Sequence, residues 1–328
     1  MSQEELRDKL AKSDAVVSLL TESKVASLLA QMDWATVHSF YYPDPESGKD
    51  RELDVIGRKI WVQGDDEPFW IYLSLLVECK SSRGIHVVVS PLQSNYSQPL
   101  AKFAWVGRVP ALGERLAQRL QTTIPDRIAQ FIRTEVMRGF GEMAYPADQA
   151  VVAPFVPDPP RALVLTSAFR ETDTKKDKEL DASVLWRATQ TLHSAMDSLQ
   201  AYSLEGEIES WGGAVEVASK FSQDPATAGI LALRRAVRKI FLFHPVIVTE
   251  SPLWSAANGS VTPLPAFRLL QLDAFGTAAR WADVVRMEAF PAFLEDLNRH
   301  YDAHFKKLGA GTIRPDLHLA QLAGNEKE

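Results

Sequence analysis

The chain has 328 residues, 46% of them hydrophobic and 24% charged, so it can build a sizeable packed core. Acids outnumber bases, 42 to 36, for a formal net charge of −6; this argues against a chain built to coat nucleic acid or anionic lipid, while leaving a local basic groove open. A single cysteine excludes a disulfide framework and any cysteine-rich zinc module.

The N-terminus is charged, with no apolar run before a small-residue cleavage site. The most apolar stretch, residues 240–248, falls far short of the ~20 residues a membrane helix needs. A soluble, cytoplasmic protein is therefore expected. The glycosylation-like Asn258-Gly259-Ser260 carries no meaning in such a chain.

In chain order, helical spacing of Val25, Leu28, Leu29 and Met32 predicts a helix over 13–32, with Ser13 placed to cap it. Strands are expected at 35–42, 51–62, 69–81 and 85–90, separated by turn-rich segments at 43–48 and 63–68. Residues 112–143 read as one broken or two consecutive helices. Pro154, Pro157, Pro159 and Pro160 form a joint near 150–160, where a domain boundary could fall, before a strand at 162–168. A charge-dense loop is expected at 170–181. Helices fit 181–202 and 225–239, strands 241–249, 267–273 and 283–289, and a closing helix 290–308, followed by a loose tail. The expectation is one extended α/β unit over 1–328.

The segment 75–82, Leu-Leu-Val-Glu-Cys-Lys-Ser-Ser, carries the chemistry. On a strand, Leu73, Leu75, Val77 and Cys79 face one side, and Leu76, Glu78 and Lys80 the other. On the preceding strand Leu53 and Val55 occupy the apolar side, with Asp54 opposite. If the strands pair, Asp54, Glu78 and Lys80 converge. Two carboxylates and the backbone carbonyl of Cys79 would suit a hard cation such as Mg²⁺, and Lys80 could orient a water or stabilise developing negative charge. Glu22 shares the apolar face of the first helix; a buried carboxylate needs a partner, which a metal site, a salt bridge or solvent would supply.

Glu22, then residues 41–54 (Tyr-Tyr-Pro-Asp-Pro-Glu-Ser-Gly-Lys-Asp-Arg-Glu-Leu-Asp), then Val77-Glu78-Cys79-Lys80, resemble the PD-(D/E)XK nuclease superfamily. The similarity is to bacterial members whose core reads Y-D-x-x-x-x-K-x-R-E-(I/L)-D followed by V-E-C-K, and it covers residues 14–90. Leu53 stands where the family's name has proline, a position without chemistry. A weaker similarity runs from Phe241 to Trp254. The resemblance implies a restriction-endonuclease-like core of a helix, antiparallel strands and a mixed sheet flanked by helices, with an α/β C-terminal extension. It implies Asp54, Glu78 and Lys80 as catalytic residues, and Mg²⁺ (or Mn²⁺) held by Asp54, Glu78, the Cys79 carbonyl and Glu22. Nucleic acid, DNA in the first place, would be the substrate, in restriction or anti-phage defence, as a homodimer or a subunit of a defence complex. The alternative is a catalytically silent nucleic-acid-binding or assembly subunit.

Elsewhere, Arg234, Arg235, Arg238 and Lys239 place four positive charges on two turns and could grip phosphate, or form a solvated helix face. Asp296, His300 and His304 have metal-like spacing, but they flank the apolar stripe of Phe293, Leu297, Tyr301 and Phe305 and read as a solvated edge. Trp211-Gly212-Gly213 reads as a turn. P-loop, dinucleotide and G-x-S-x-G signatures are absent.

Overall fold

The computed structural model describes residues 2–11, 13–44, 47–63, 69–80, 85–92, 163–173, 178–179, 183–199, 239–272, 278–307 and 310–313. The expected helices at 112–143 and 225–238, the proline joint and Trp211-Gly212-Gly213 lie outside them.

Helix α1 spans Gln3–Ala11 and α2 spans Asp14–Gln31. Ser13 has the extended backbone of an N-cap, yet its side chain makes no capping hydrogen bond. Val17, Thr21, Val25 and Leu29 form the buried seam of α2, one residue per turn. Met32 caps the helix, and Asp33 follows with a φ of 60°, the left-handed conformation that stops a helix and that aspartate tolerates.

Four strands follow: β1 (Ala35–Pro43), β2 (Asp50–Gln63), β3 (Phe69–Lys80) and β4 (Ile85–Ser90). Three short strands come next, β5 (Val164–Thr166), β6 (Ala168–Asp173) and β7 (Lys178–Glu179), then helix α3 over 184–199. The last part holds β8 (Lys239–Thr249), β9 (Leu253–Ala257), β10 (Ser260–Leu264), β11 (Ala266–Leu272), β12 (Ala278–Arg286), α4 (Phe290–Lys307) and β13 (Ala310–Ile313). The protein is thus α/β. Several expectations change: α1, β9 and β10 were not expected, and the strand expected at 283–289 lies at Ala278–Arg286. Part of the charge-dense segment 170–181 is strand. Lys239 opens a strand instead of ending a helix. The tail at 310–313 is an added strand on β2.

The main sheet is mixed, in the order β1-β2-β3-β8-β12-β11-β5, with β13 also on β2. β1, β2 and β3 are antiparallel, and β8 then lies parallel to β3 over its whole length. The outer edge of β2 is shared: β1 covers residues 50–58 and β13 covers 60–63. Pro245 stands inside β8 although proline cannot donate to a ladder. Glu250, five residues on, donates its N–H to Lys80 on β3, so by alternation Pro245 faces β12, where pairing begins only at Val246. Its missing N–H therefore costs no ladder bond.

β4 leaves this sheet and joins a second one, β10-β9-β4-β6-β7. Its β9–β10 hairpin turns at Asn258 (φ 52°) and Gly259 (φ 73°), the left-handed pair of a type I′ turn. One face of the main sheet packs under α2 and α4, with Val25, Leu29, Val55, Leu75, Val77, Trp61, Trp281 and Tyr301 in its core. The other face packs Leu53, Ile56, Leu76 and Ile247 against α3 and strands β4 and β9. Gly57 lets α2 approach: a Cβ there would meet Leu29 and Trp34 at 3.2 Å.

Candidate active site

β3 alternates as its sequence predicts. Leu73, Leu75, Val77 and Cys79 lie in the core under α2, whereas Leu76 lies in the opposite core and Glu78 and Lys80 continue its side. β2 departs from expectation: Leu53 and Val55 are both buried, but in different cores. The change of face coincides with an irregularity opposite Asp54. Ser39 on β1 has φ 51°, and bridge pairing is interrupted there, between His38 with Val55 and Phe40 with Leu53.

On its other side β2 parts from β3 after Val55 pairs Val77. The Cys79 amide, which faces β2, has lost its backbone partner, and the Asp54 carboxylate takes its place: Cys79 N–H donates to Asp54 Oδ2 at 2.6 Å. Because the N–H and C=O of a strand residue point to the same side, the Cys79 carbonyl faces the same gap. Asp54, Glu78 and Lys80 thus meet where two strands diverge.

Glu78 is only 5% exposed. Its Oε1 accepts a hydrogen bond from Lys80 Nζ at 2.5 Å, while Oε2 is buried with no hydrogen-bond partner. Burial pushes its pKa up to about 7; the Lys80 ammonium pulls against this and Asp54 adds to it. Burial also raises Asp54, against the Cys79 N–H and Lys80. Lys80 is raised: burial works the other way, but the charge and hydrogen bond of Glu78 outweigh it.

Glu22 sits beside the buried seam of α2, half-buried, and accepts a hydrogen bond from Ser18 Oγ at 3.1 Å. Its pKa is raised by burial and then by the charge of Asp54, so the helix does bring it towards the strand residues. Two more groups act on this site without having been expected. His38 pulls down both Glu22 and Asp54, and Glu52, bonded to the Tyr41 hydroxyl at 3.1 Å, pushes both up. Glu52 lies within the quoted motif, but only the β1–β2 register reveals His38.

Other motif residues have a structural role. Asp44 is buried and binds Arg51 at 2.6 Å, Ser47 at 2.8 Å and Ser194 at 2.9 Å, which ties the β1–β2 turn to α3. Arg234, Arg235 and Arg238 lie outside the described residues. Lys239 opens β8 opposite Trp70, roughly 33 Å along the strand from the Lys80 end at ~3.3 Å per residue. Asp296 is exposed and paired with Arg299, as a solvated flank predicts, but His300 and His304 are half-buried against Tyr301 and Phe305, and His300 Nε2 is buried.

The oxygen donors at the gap suit a hard divalent cation, and the bare Glu78 Oε2 is an acceptor that a cation would satisfy. Among the described residues, no three His, Cys, Asp or Glu side chains converge on one point as a metal cluster. Asp54 is turned to the Cys79 amide and Glu78 to Lys80. No described helix is long and apolar enough to cross a membrane. Comparison with protein-family models, with curated proteins and with solved structures returns no match.

Proposed function

We propose that the chain is a Mg²⁺-dependent nuclease of the PD-(D/E)XK type, hydrolysing phosphodiesters in DNA in the cytoplasm. The observation that carries this reading is Glu78: a carboxylate buried beside Asp54, with one oxygen on Lys80 and the other without a partner. Leaving such an oxygen bare is costly unless something occupies it in the working protein. The order α2, antiparallel β1-β2-β3, then β8 parallel to β3 supports the restriction-endonuclease-like core that the resemblance implies.

Asp54, Glu78 and the Cys79 carbonyl would hold the cation, joined by Glu22 from the helix. When bound, it supplies a water of lowered pKa and offsets charge on the phosphate. Lys80 orients the attacking water and stabilises the charge that develops on the phosphate. Asp54 keeps its position through the Cys79 amide, so its other oxygen is the free one. His38 and Tyr41, exposed on β1, border the approach to the gap.

Supercoiled plasmid should be cut with Mg²⁺ or Mn²⁺ and left intact with EDTA. Asp54→Ala, Glu78→Ala and Lys80→Ala should each lower the rate by at least about 10²-fold while remaining folded. Full activity in all three variants would defeat the assignment.

A second reading, a catalytically silent subunit that binds nucleic acid, is favoured by the absence of a converged metal cluster among the described residues. It predicts retarded DNA in a gel shift that is indifferent to EDTA, and no products under any condition.

A further inference from the structure

A further carboxylate lies at the same end of the sheet. Glu250 follows the last residue of β8, and it is bonded twice. Its N–H donates to the Lys80 carbonyl at 3.2 Å, carrying the β3–β8 ladder one step past Thr249. Its Oε1 accepts from Thr21 Oγ1 on α2 at 3.2 Å.

Thr21 is a buried hydroxyl in the otherwise aliphatic seam of α2, and its one proton is shared between Glu250 and the Val17 carbonyl at 2.9 Å. A valine would fill the same space. The hydroxyl therefore adds two polar contacts beyond packing, one to its own helix at Val17 and one across to Glu250. This link joins positions 229 residues apart. It ties α2 to the ends of β3 and β8 at the residue next to Glu22, although Glu250 itself is exposed. One turn earlier, Ser18 orients the Glu22 carboxylate from the same helix.

We propose that Glu250 is a positioning residue of the cation site. Through Thr21 it locks α2 to the strand ends that carry Glu78 and Lys80, and so sets where Glu22 meets a cation held by Asp54 and Glu78. The inference rests on the reading of this site as a cation site. Partners of this outer kind govern metal affinity by holding a ligand's orientation, by about tenfold or more each.

The test is a titration of the full chain with Mn²⁺ at pH 8, without nucleic acid, reading free Mn²⁺ by electron paramagnetic resonance. Glu250→Ala and Thr21→Val should each bind about tenfold more weakly than wild type with an unchanged circular dichroism spectrum. Glu250→Gln, which keeps an acceptor oxygen for Thr21, and Thr21→Ser, which keeps the hydroxyl, should bind within about twofold of wild type. Since Glu250 acts through Glu22, the double variant Glu22→Ala, Glu250→Ala should bind no more weakly than Glu22→Ala alone. Wild-type affinity in Glu250→Ala and Thr21→Val would overturn the proposal while leaving the cation site intact. Equal losses in Glu250→Gln and Glu250→Ala, with Thr21→Val unaffected, would also overturn it and make Glu250 a direct ligand. Wild-type protein that binds no Mn²⁺ would remove the cation site itself, and this role with it.

Discussion

The main sheet carries two clusters of ionisable side chains, and they treat burial in opposite ways. Under α4, Arg268 on β11 faces Asp283 on β12, its register partner. Arg268 Nε and Nη2 donate to the two Asp283 oxygens at 2.6 and 2.8 Å. His244 bonds Asp283 at 2.8 Å and the Tyr301 hydroxyl at 3.0 Å, and the Arg268 guanidinium lies 4.1 Å from the Trp281 ring centroid. All four polar residues are 0% exposed, and Arg268 Nη1 is buried without a hydrogen-bond partner, so what is fully satisfied here is the Asp283 carboxylate. Burial alone would raise Asp283, but the Arg268 charge and the hydrogen bonds from Arg268 and His244 hold it low, whereas burial keeps the His244 pKa depressed. At the β2–β3 gap the outcome is reversed: Glu78 is nearly as buried, has one cationic partner that reaches solvent, keeps one oxygen bare, and is pushed up to about 7. A carboxylate clamped low by a sealed bidentate partner holds a structure together. One left near neutrality with an open coordination direction is available to a ligand.

The sharpest way to test this contrast is to remove one acid from each cluster. Asp283→Ala leaves Arg268 charged and unpaired in the core and should cost about 3–5 kcal/mol. Glu78→Gln deletes a charge the fold holds at a cost, so it should be neutral or stabilising while abolishing metal-dependent cleavage. Urea denaturation of both variants measures the difference. A Glu78→Gln protein destabilised as much as Asp283→Ala would put both clusters in the structural class.

Acidity separates the clusters next. Between the unfolded-chain value near 4.5 and about 7, folded Glu78 keeps a proton that the unfolded chain has released. Stability from this residue is therefore full below pH 4.5, falls as pH rises through the window and stays reduced above 7, on the order of 3 kcal/mol in total. The melting temperature of Glu78→Gln minus that of wild type should grow from pH 5 to pH 7.5. A flat difference would mean that Glu78 ionises normally. By the same balance, Mg²⁺ should raise the wild-type melting temperature more at pH 8 than at pH 5, where bound protons compete with it.

Much of the gap was legible from sequence because it is local. The alternation of Leu75 to Lys80 needs only the period of a strand, and Arg51 to Asp54 is a strand of the same kind. The split of Leu53 and Val55 between two cores was not legible, since it coincides with a break in pairing at Ser39 on the neighbouring strand. Nor was the departure of β4 to a second sheet, because nothing in Ile85–Ser90 specifies which strands it will join. The buried network left a trace in charged letters within apolar runs: His244, Arg268 and Asp283 each interrupt a buried strand. Only the register shows that Arg268 and Asp283 stand opposite each other, with His244 reaching Asp283 from two residues before its partner Val246. Thr21 and Glu250 left less, one hydroxyl and one acid 229 residues apart.

The smallest effect concerns the backbone beside the site. Among described non-glycine residues, positive φ occurs at Asp33, Ser39 and Asn258. Asp33 ends a helix and Asn258 begins a type I′ turn, places where these residue types tolerate the left-handed region. Ser39 has neither excuse: it lies within a strand, facing Asp54, and no such residue occurs in β8, β11 or β12, which carry the sealed network. Strain held at such a strand position costs on the order of 1 kcal/mol. Ser39→Gly removes that strain but returns part of the gain as unfolded-chain entropy, so it should stabilise the fold by about 0.5 kcal/mol. It also frees β1 to straighten, which lets Asp54 shift relative to the Cys79 amide, and cleavage should slow several-fold. A stabilised variant with undiminished cleavage would show that the Ser39 distortion merely routes the chain between the two cores and has no part in holding Asp54.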